Sequence, residues 1–388
     1  LKGVPYCTEA QIAAAKQSTG KAEQQSPACP AASQIGATNT GAGSGPTPFY
    51  AKGKLYLAGP YKGAPLSVVA ITPAVAGPFD LGTVLVRAAL HVDPVTARVT
   101  ASTDPIPQIL EGVALRIRDI RIDLDRPNWA LNPTSCDAKT VDVSAHGNSG
   151  ATASLTNRFQ LTSCDKLAFK PKLKAHLNGG TKRNDHPSLK ATLTYPPGAG
   201  YANTRYAQVA LPHSEFLDQG HINTVCTRPQ FAANQCPKGS IYGHAEAITP
   251  LLDQPLTGPA YLRSSSNKLP DLVIALKGPP SQPIEIDLDG RIDSIHGGIR
   301  TTFESAPDAP VSKFVLTMKG GKKGLLVNSR NLCTSAPAHM TVRLIAHNNK
   351  RADQFPKLGD DCGKGKGHKG HKRRGSQREL AGWGRLGF

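Results

Sequence analysis

Aromatic side chains are scarce in this 388-residue chain: Phe, Trp and Tyr make up 5% of it, and only two residues are Trp. Platforms of exposed rings, on which sugars and unpaired bases stack, are therefore hard to assemble. No long apolar run exists. The best stretch, Pro65 to Leu90, is broken by Pro73, Pro78, Asp80 and Arg87, so no membrane-spanning helix fits. No heptad pattern persists between the scattered prolines, which excludes a coiled coil. Cys-x-x-Cys is absent and no two cysteines stand closer than ten residues. That spacing argues against a redox pair and against a zinc finger.

Glycine (38), proline (32) and positive charge are abundant, with 46 Lys and Arg against 28 Asp and Glu, a net +18. Length favours two or three domains. Leu1 opens the chain with no basic-then-apolar leader after it, so a mature form or a fragment is expected. The charge concentrates in residues 363–388, which hold eight basic side chains and one acidic. This Gly/Lys/His-rich tail can bury no apolar face and is expected to be disordered. Lys364, Lys366, Lys369, Lys372, Arg373 and Arg374 are candidate contacts to an anionic cell-envelope polymer. No aromatic interleaves with them, so specific nucleic-acid recognition is not expected. His368 and His371 on the same tail form no fixed metal shell.

Self-similarity organises the rest. Cys7-Thr8-x-x-Gln11-Ile12-Ala13-Ala14 matches Cys226-Thr227-x-x-Gln230-Phe231-Ala232-Ala233. Cys29-Pro30-x-x-Ser33-x-x-Gly36 matches Cys236-Pro237-x-x-Ser240-x-x-Gly243. Gly53-x-x-Tyr56-Leu57 then matches Gly258-x-x-Tyr261-Leu262, and Pro65 to Ile71 matches Pro270 to Leu276. Each copy carries four cysteines in the order close pair, long gap, close pair. Eight cysteines allow 105 pairings. Duplication and short loops favour Cys7–Cys29, Cys136–Cys164, Cys226–Cys236 and Cys333–Cys362. Structural disulfides place the protein in an oxidising compartment, extracellular or at the cell surface.

Thr8 to Gln17 is the one clear helix, with Thr8 as its N-cap; Pro229 and Cys236 cut its counterpart short. Residues 36–53, rich in Gly, Ser, Thr and Pro, read as a long loop. Elsewhere apolar or alternating pieces of strand length are bounded by turn residues. Leu66–Ile71, Thr83–Val92 and Ala97–Ser102 read as strands, and Val113–Leu124 changes phase near Asp119, the mark of a bulge or a short turn. Leu167–Leu177, Leu189–Tyr195 and Arg205–Leu211 read as three strands of a separate small β domain. The expected fold is mainly β: tandem antiparallel sandwich- or barrel-like modules with an internal duplication, one short N-terminal helix and a disordered basic tail. The divisions are a β module at 1–164, a small sandwich-like domain at 165–225, a second copy of the module at 226–362, and the tail at 363–388.

Several residue sets invite a chemical reading. Gly147-Asn148-Ser149-Gly150 has the look of a serine-nucleophile loop but lacks a following Gly and partner motifs, so turn residues explain it better. Ala145-His146-x-Asn148 recurs as Ala346-His347-x-Asn349, more consistent with polar strand ends than with bases. Asp123 and Asp125, like Asp287 and Asp289, offer too few oxygens in a straight row for calcium. No catalytic, cofactor-binding or metal-ligating set is assigned, and no cofactor is expected.

Five blocks resemble a group of uncharacterised, repeat-containing secreted proteins of actinobacteria: Pro73 to Thr83, Cys29 to Gly36, Leu256 to Leu262, Phe303 to Pro310 and Phe169 to Leu173. The resemblance covers roughly residues 7–362, with Pro73 to Thr83 as its most specific part; residues 375–388 depart from it. It implies secretion and a non-catalytic surface role, and supplies no active-site residues. The expectation is a non-enzymatic extracellular β protein, a structural segment of a larger secreted protein whose tail tethers it to anionic envelope polymers. The alternatives are a glycan-binding module, with Trp129 as the residue to test, and a secreted hydrolase.

Overall fold

The computed structural model describes residues 1–198, 200–295 and 298–362. The fold is mainly β, with three short α-helices. The eight cysteines pair as Cys7–Cys29, Cys136–Cys164, Cys226–Cys236 and Cys333–Cys362.

The two cysteine-led segments adopt the same local geometry. Helix α1 (Glu9–Gln17) begins with a capping box in which Thr8 and Gln11 bond reciprocally. Two short helices stand beside the expected one: α2 (Gly20–Gln25), capped by Thr19, and α3 (Arg228–Ala232). The second begins with the same box, made by Thr227 and Gln230, and survives Pro229 because that proline sits in the first turn, where its missing N–H costs nothing. Cys7 and Cys226 donate their N–H groups to Leu57 and Leu262 at 2.8 Å. Ser33 and Ser240, both buried, turn back on Pro30 and Pro237.

The first half forms a six-stranded antiparallel sheet. Its strands are β1 (Gln34–Ala42), β2 (Phe49–Ala58), β3 (Leu66–Ala76), β4 (Phe79–Val92), β5 (Val99–Thr103) and, after a two-residue hairpin β6 (Ile109–Leu110) and β7 (Val113–Ala114), β8 (Ile117–Leu124). The order is β5-β4-β3-β2-β1-β8. On one face Tyr56, Val69 and Ile71 pack with Ala15 and the Cys7–Cys29 bridge beneath the helices. The carboxylate of Asp80, in the Pro73–Thr83 block, receives the Gly20 and Lys21 amides at 2.8 and 2.9 Å and so fastens α2 to the β3–β4 hairpin. A separate hairpin, β9 (Lys139–His146) and β10 (Thr152–Phe159), follows.

Residues 36–53, read as a loop, are largely strand. Their glycines serve close approach rather than flexibility: a Cβ on Gly36 would lie 2.1 Å from the Asp123 carbonyl oxygen, and one on Gly53 2.4 Å from the Thr38 and Thr72 hydroxyl oxygens. The bulge lies where the phase change put it, with the β1–β8 register shifting between Gly41 and Ala42, opposite Asp119 and Ile117.

Twelve strands make the second sheet: β11 (Lys172–Asn178), β12 (Ser188–Thr194), β13 (Thr204–Ala210), β15 (Ile241–Ile248), β16 (Leu256–Arg263), β17 (Asp271–Lys277), β18 (Glu285–Ile295), β19 (Gly298–Phe303), β20 (Lys313–Met318), β22 (Thr341–Ala346), β23 (Arg351–Gln354) and β24 (Leu358–Gly359). The intervening β14 (Glu215–Leu217) and β21 (Leu326–Asn328) pair with each other. The order runs β23-β22-β13-β19-β18-β17-β16-β15-β20-β12-β11-β24. The sheet curls on itself: the Gln354 amide accepts from Leu173 N and donates to Pro171 O, bringing β23 to the start of β11. Inside lies a single apolar core that includes Leu173, Leu177, Leu262, Ile274, Met318, Val342 and Leu344.

Among the described residues, 165–225 therefore make no sheet of their own. β11 and β12 extend the edge beyond β20, and β13 is inserted between β19 and β22. Three strands have too little apolar surface to bury alone, and the half-open sheet beside them supplies the missing partner. One alignment is also shifted by a residue: Val68 lies opposite Leu57, whereas Leu272, not Val273, lies opposite Leu262.

Candidate functional site

The two halves use the same wiring but finish it differently. In the first, Gly36, Thr38 and Thr40 of β1 face Leu124, Ile122 and Ile120 of β8. In the second, Gly243, Ala245 and Ala247 of β15 face Met318, Leu316 and Phe314 of β20. Beyond β20 come β12 and β11; beyond β8 there is no further strand among the described residues. Leu124 and Ile122 accordingly stay 56% and 57% exposed, while Met318 is buried.

The hairpins repeat the contrast. By the Ala145/Ala346 match, Val141 and Val143 of β9 correspond to Val342 and Leu344 of β22. Val342 and Leu344 are 0% and 1% exposed because β13 pairs with β22 and closes the core. Val141 and Val143 are 51% and 49% exposed, because among the described residues β9 pairs only with β10. Leu155 on β10 and Val99 on β5 are exposed as well. The first half thus presents unpaired strand edges beside an aliphatic face, and both features favour strand addition.

A second constellation lies within residues 165–225, against the loop before β21. His186, in the turn from β11 to β12, meets Asp218 and His221 from the turn after β14. His186 Nε2 is 2.8 Å and His221 Nε2 3.8 Å from Asp218 Oδ2, and the two imidazoles stack with centroids 4.3 Å apart. His221 Nδ1 bonds the Gly324 carbonyl at 2.8 Å. The hydrogen bond from His186 and the Gly220 amide hold the Asp218 carboxyl below the usual carboxylate range, against a smaller opposing effect of burial. All three side chains are half-buried, and their ligand atoms lie within 4.8 Å of one another. Sequence reading missed this set because 32 residues separate His186 from Asp218; the one local signal was Asp218-x-x-His221 in a single turn.

The residues singled out from sequence fall elsewhere. Gly147 to Gly150 form the β9–β10 turn, closed by Gly147 N to Ala151 O at 2.8 Å. His146 is exposed, whereas His347 is half-buried: its Nε2 lies 2.9 Å from the Ala306 carbonyl, and its backbone N–H donates to Asn203. Asn203 also donates to Asp308, which in turn receives the Thr134 amide and hydroxyl. Asp289 pairs with Arg263 at 2.9 Å, and burial with the neighbouring Asp289 and Glu285 pushes Asp287 up to about 6. Asp123 and Asp125 are exposed. Trp129 packs against the cluster of Ile35, Leu55 and Leu57. Lys364, Lys366, His368, Lys369, His371, Lys372, Arg373 and Arg374 lie outside the described residues. A cavity of about 20 Å³, lined in part by Leu177, Ser214, Arg330 and Leu358, has room for about one water. No helix among the described residues is long and apolar enough to cross a membrane.

Comparison with known proteins finds no matching family and no matching curated protein.

Proposed function

We propose that this protein is an extracellular, non-enzymatic β scaffold of disulfide-stapled modules, each completed by a three-stranded segment of the kind formed by residues 165–225. The observation that carries the reading is the pair of equivalent hairpins. The same strand is sealed in the second half by β13 and left open in the first. Completing the first half in the same way would cover the aliphatic row of β8, the outer edge of β5 and the free side of β9. Successive modules would then be joined by continuous hydrogen-bonded sheet, which suits a rod that presents or spaces other domains. Four disulfides suit an oxidising compartment, and the likeness to secreted actinobacterial repeat proteins points the same way.

The test fuses a second copy of residues 165–225 ahead of Leu1 and compares hydrogen exchange with that of the parent chain. Slowed exchange in β8, β5 and β9 supports the reading; unchanged exchange with a protease-sensitive added segment rejects it. The tail is the proposed tether to anionic polymers. Deleting residues 363–388 should abolish salt-sensitive retention on cell walls, and unchanged retention rejects that part.

A further inference from the structure

We propose that His186, Asp218 and His221 form a binding site for one divalent transition-metal ion of the zinc type, a role separate from strand completion. The donor set decides the class. Two imidazoles and one carboxylate suit zinc and its neighbours, whereas calcium and magnesium require shells of oxygen. A tetrahedral ion with ligand bonds of about 2.0–2.2 Å needs donor atoms roughly 3.3 Å apart. The observed 2.8 and 3.8 Å bracket that spacing.

The surroundings orient the donors as outer-shell groups do in metal sites. His221 Nδ1 is engaged by the Gly324 carbonyl, which makes it the protonated nitrogen and leaves the Nε2 lone pair facing Asp218. Gly220 N donates to Asp218 Oδ1 at 2.9 Å, leaving Oδ2 for the ion. Gly321 N bonds the His186 carbonyl at 2.8 Å. Gly324 lets this loop in: a Cβ there would stand 2.9 Å from the Cβ of His186. On binding, the ion replaces the proton between His186 Nε2 and Asp218 Oδ2, and that proton moves to Nδ1 of the neutral ring. Water fills the fourth position through the half-exposed side. The ion would tie the β11–β12 turn to the turn after β14, both within residues 165–225, beside the place where β14 pairs with β21.

The experiment uses the full chain, stripped with a chelator and titrated with cobalt(II) and then zinc(II) chloride. The expected result is one equivalent of cobalt with a tetrahedral visible band, displaced by zinc, and a melting temperature that rises with free zinc. His186→Asn with His221→Asn should abolish the band, whereas His368→Asn with His371→Asn should keep it. Asp218→Asn, which preserves shape and removes the anionic donor, should weaken binding at least tenfold and decides the matter if the double variant misfolds. Binding that survives in the first pair or stays at parental affinity in Asp218→Asn, binding that vanishes with the tail pair, or a parent chain that takes up no ion would each overturn the proposal. None of these outcomes bears on whether β8, β5 and β9 accept added strands.

Discussion

Arg87 and Glu9 meet in a two-pronged ion pair, with guanidinium nitrogens 2.8 and 2.6 Å from the two carboxylate oxygens. Arg87 is buried; its Nε donates to Ser67 and its guanidinium lies 3.9 Å over the Tyr61 ring. Glu9 occupies the first turn of α1, so the pair holds that helix against β4. Removing Glu9 leaves a buried cation with one hydrogen bond and a ring face. The loss approaches, without reaching, that of a fully buried pair, because Glu9 itself is open to water. Glu9→Ala should lower stability by about 1–2 kcal/mol, read as a shift in urea midpoint without a change in slope.

Glu215 is fully buried, and neither carboxylate oxygen has a hydrogen-bond partner among the described residues. Burial pushes its pKa up to about 7, with the adjacent Ser214 hydroxyl, too poorly placed for a full hydrogen bond, and then the Arg330 charge acting the other way. Between about pH 4.5 and pH 7 the folded chain keeps a proton that the unfolded chain has lost. Stability is therefore greatest below this window and falls as pH rises through it, by roughly 3 kcal/mol for a shift of this size. Asp287 adds a slope of the same sign. Glu215→Gln should raise the melting temperature above pH 7 and flatten the profile without levelling it. An unchanged slope would show that the carboxyl is solvated in the folded state.

The strand-rich character and the cysteine spacing were legible because they are local: alternation, turn residues and short loops leave their mark within thirty residues. The close pairs define loops of 10 residues for Cys226–Cys236 and 29 for Cys333–Cys362. In the chain-entropy account, Cys→Ala at both ends should cost about 2.7 and about 3.6 kcal/mol respectively, a ranking that thermal melts of the two double variants check. Long-range pairing left no such mark. The strands of residues 165–225 were readable one by one, yet nothing in their alternation said that β13 would enter between β19 and β22. Gly36 and Gly53 read as loop residues because the crowding that requires them comes from strands far along the chain. His186, Asp218 and His221 escaped for the same reason.

Leu344 and Val143 hold matching places, and their truncation should expose the difference between a sealed and an open sheet. Leu344 is buried within the closed core, so Leu344→Ala should cost about 2–4 kcal/mol through lost burial and a residual cavity. Val143 loses little contact on truncation, and Val143→Ala should stay within about 0.5 kcal/mol. Fusing a copy of residues 165–225 ahead of Leu1 should change only the second number. With a strand laid between β5 and β9, Val143 would enter an interior like that around Leu344, and its truncation should then cost at least 1 kcal/mol. Chemical denaturation of four chains, the parent and the fusion each with and without Val143→Ala, measures this coupling directly. Equal costs in both backgrounds would mean that the added strands settle elsewhere and that the open edge serves another partner.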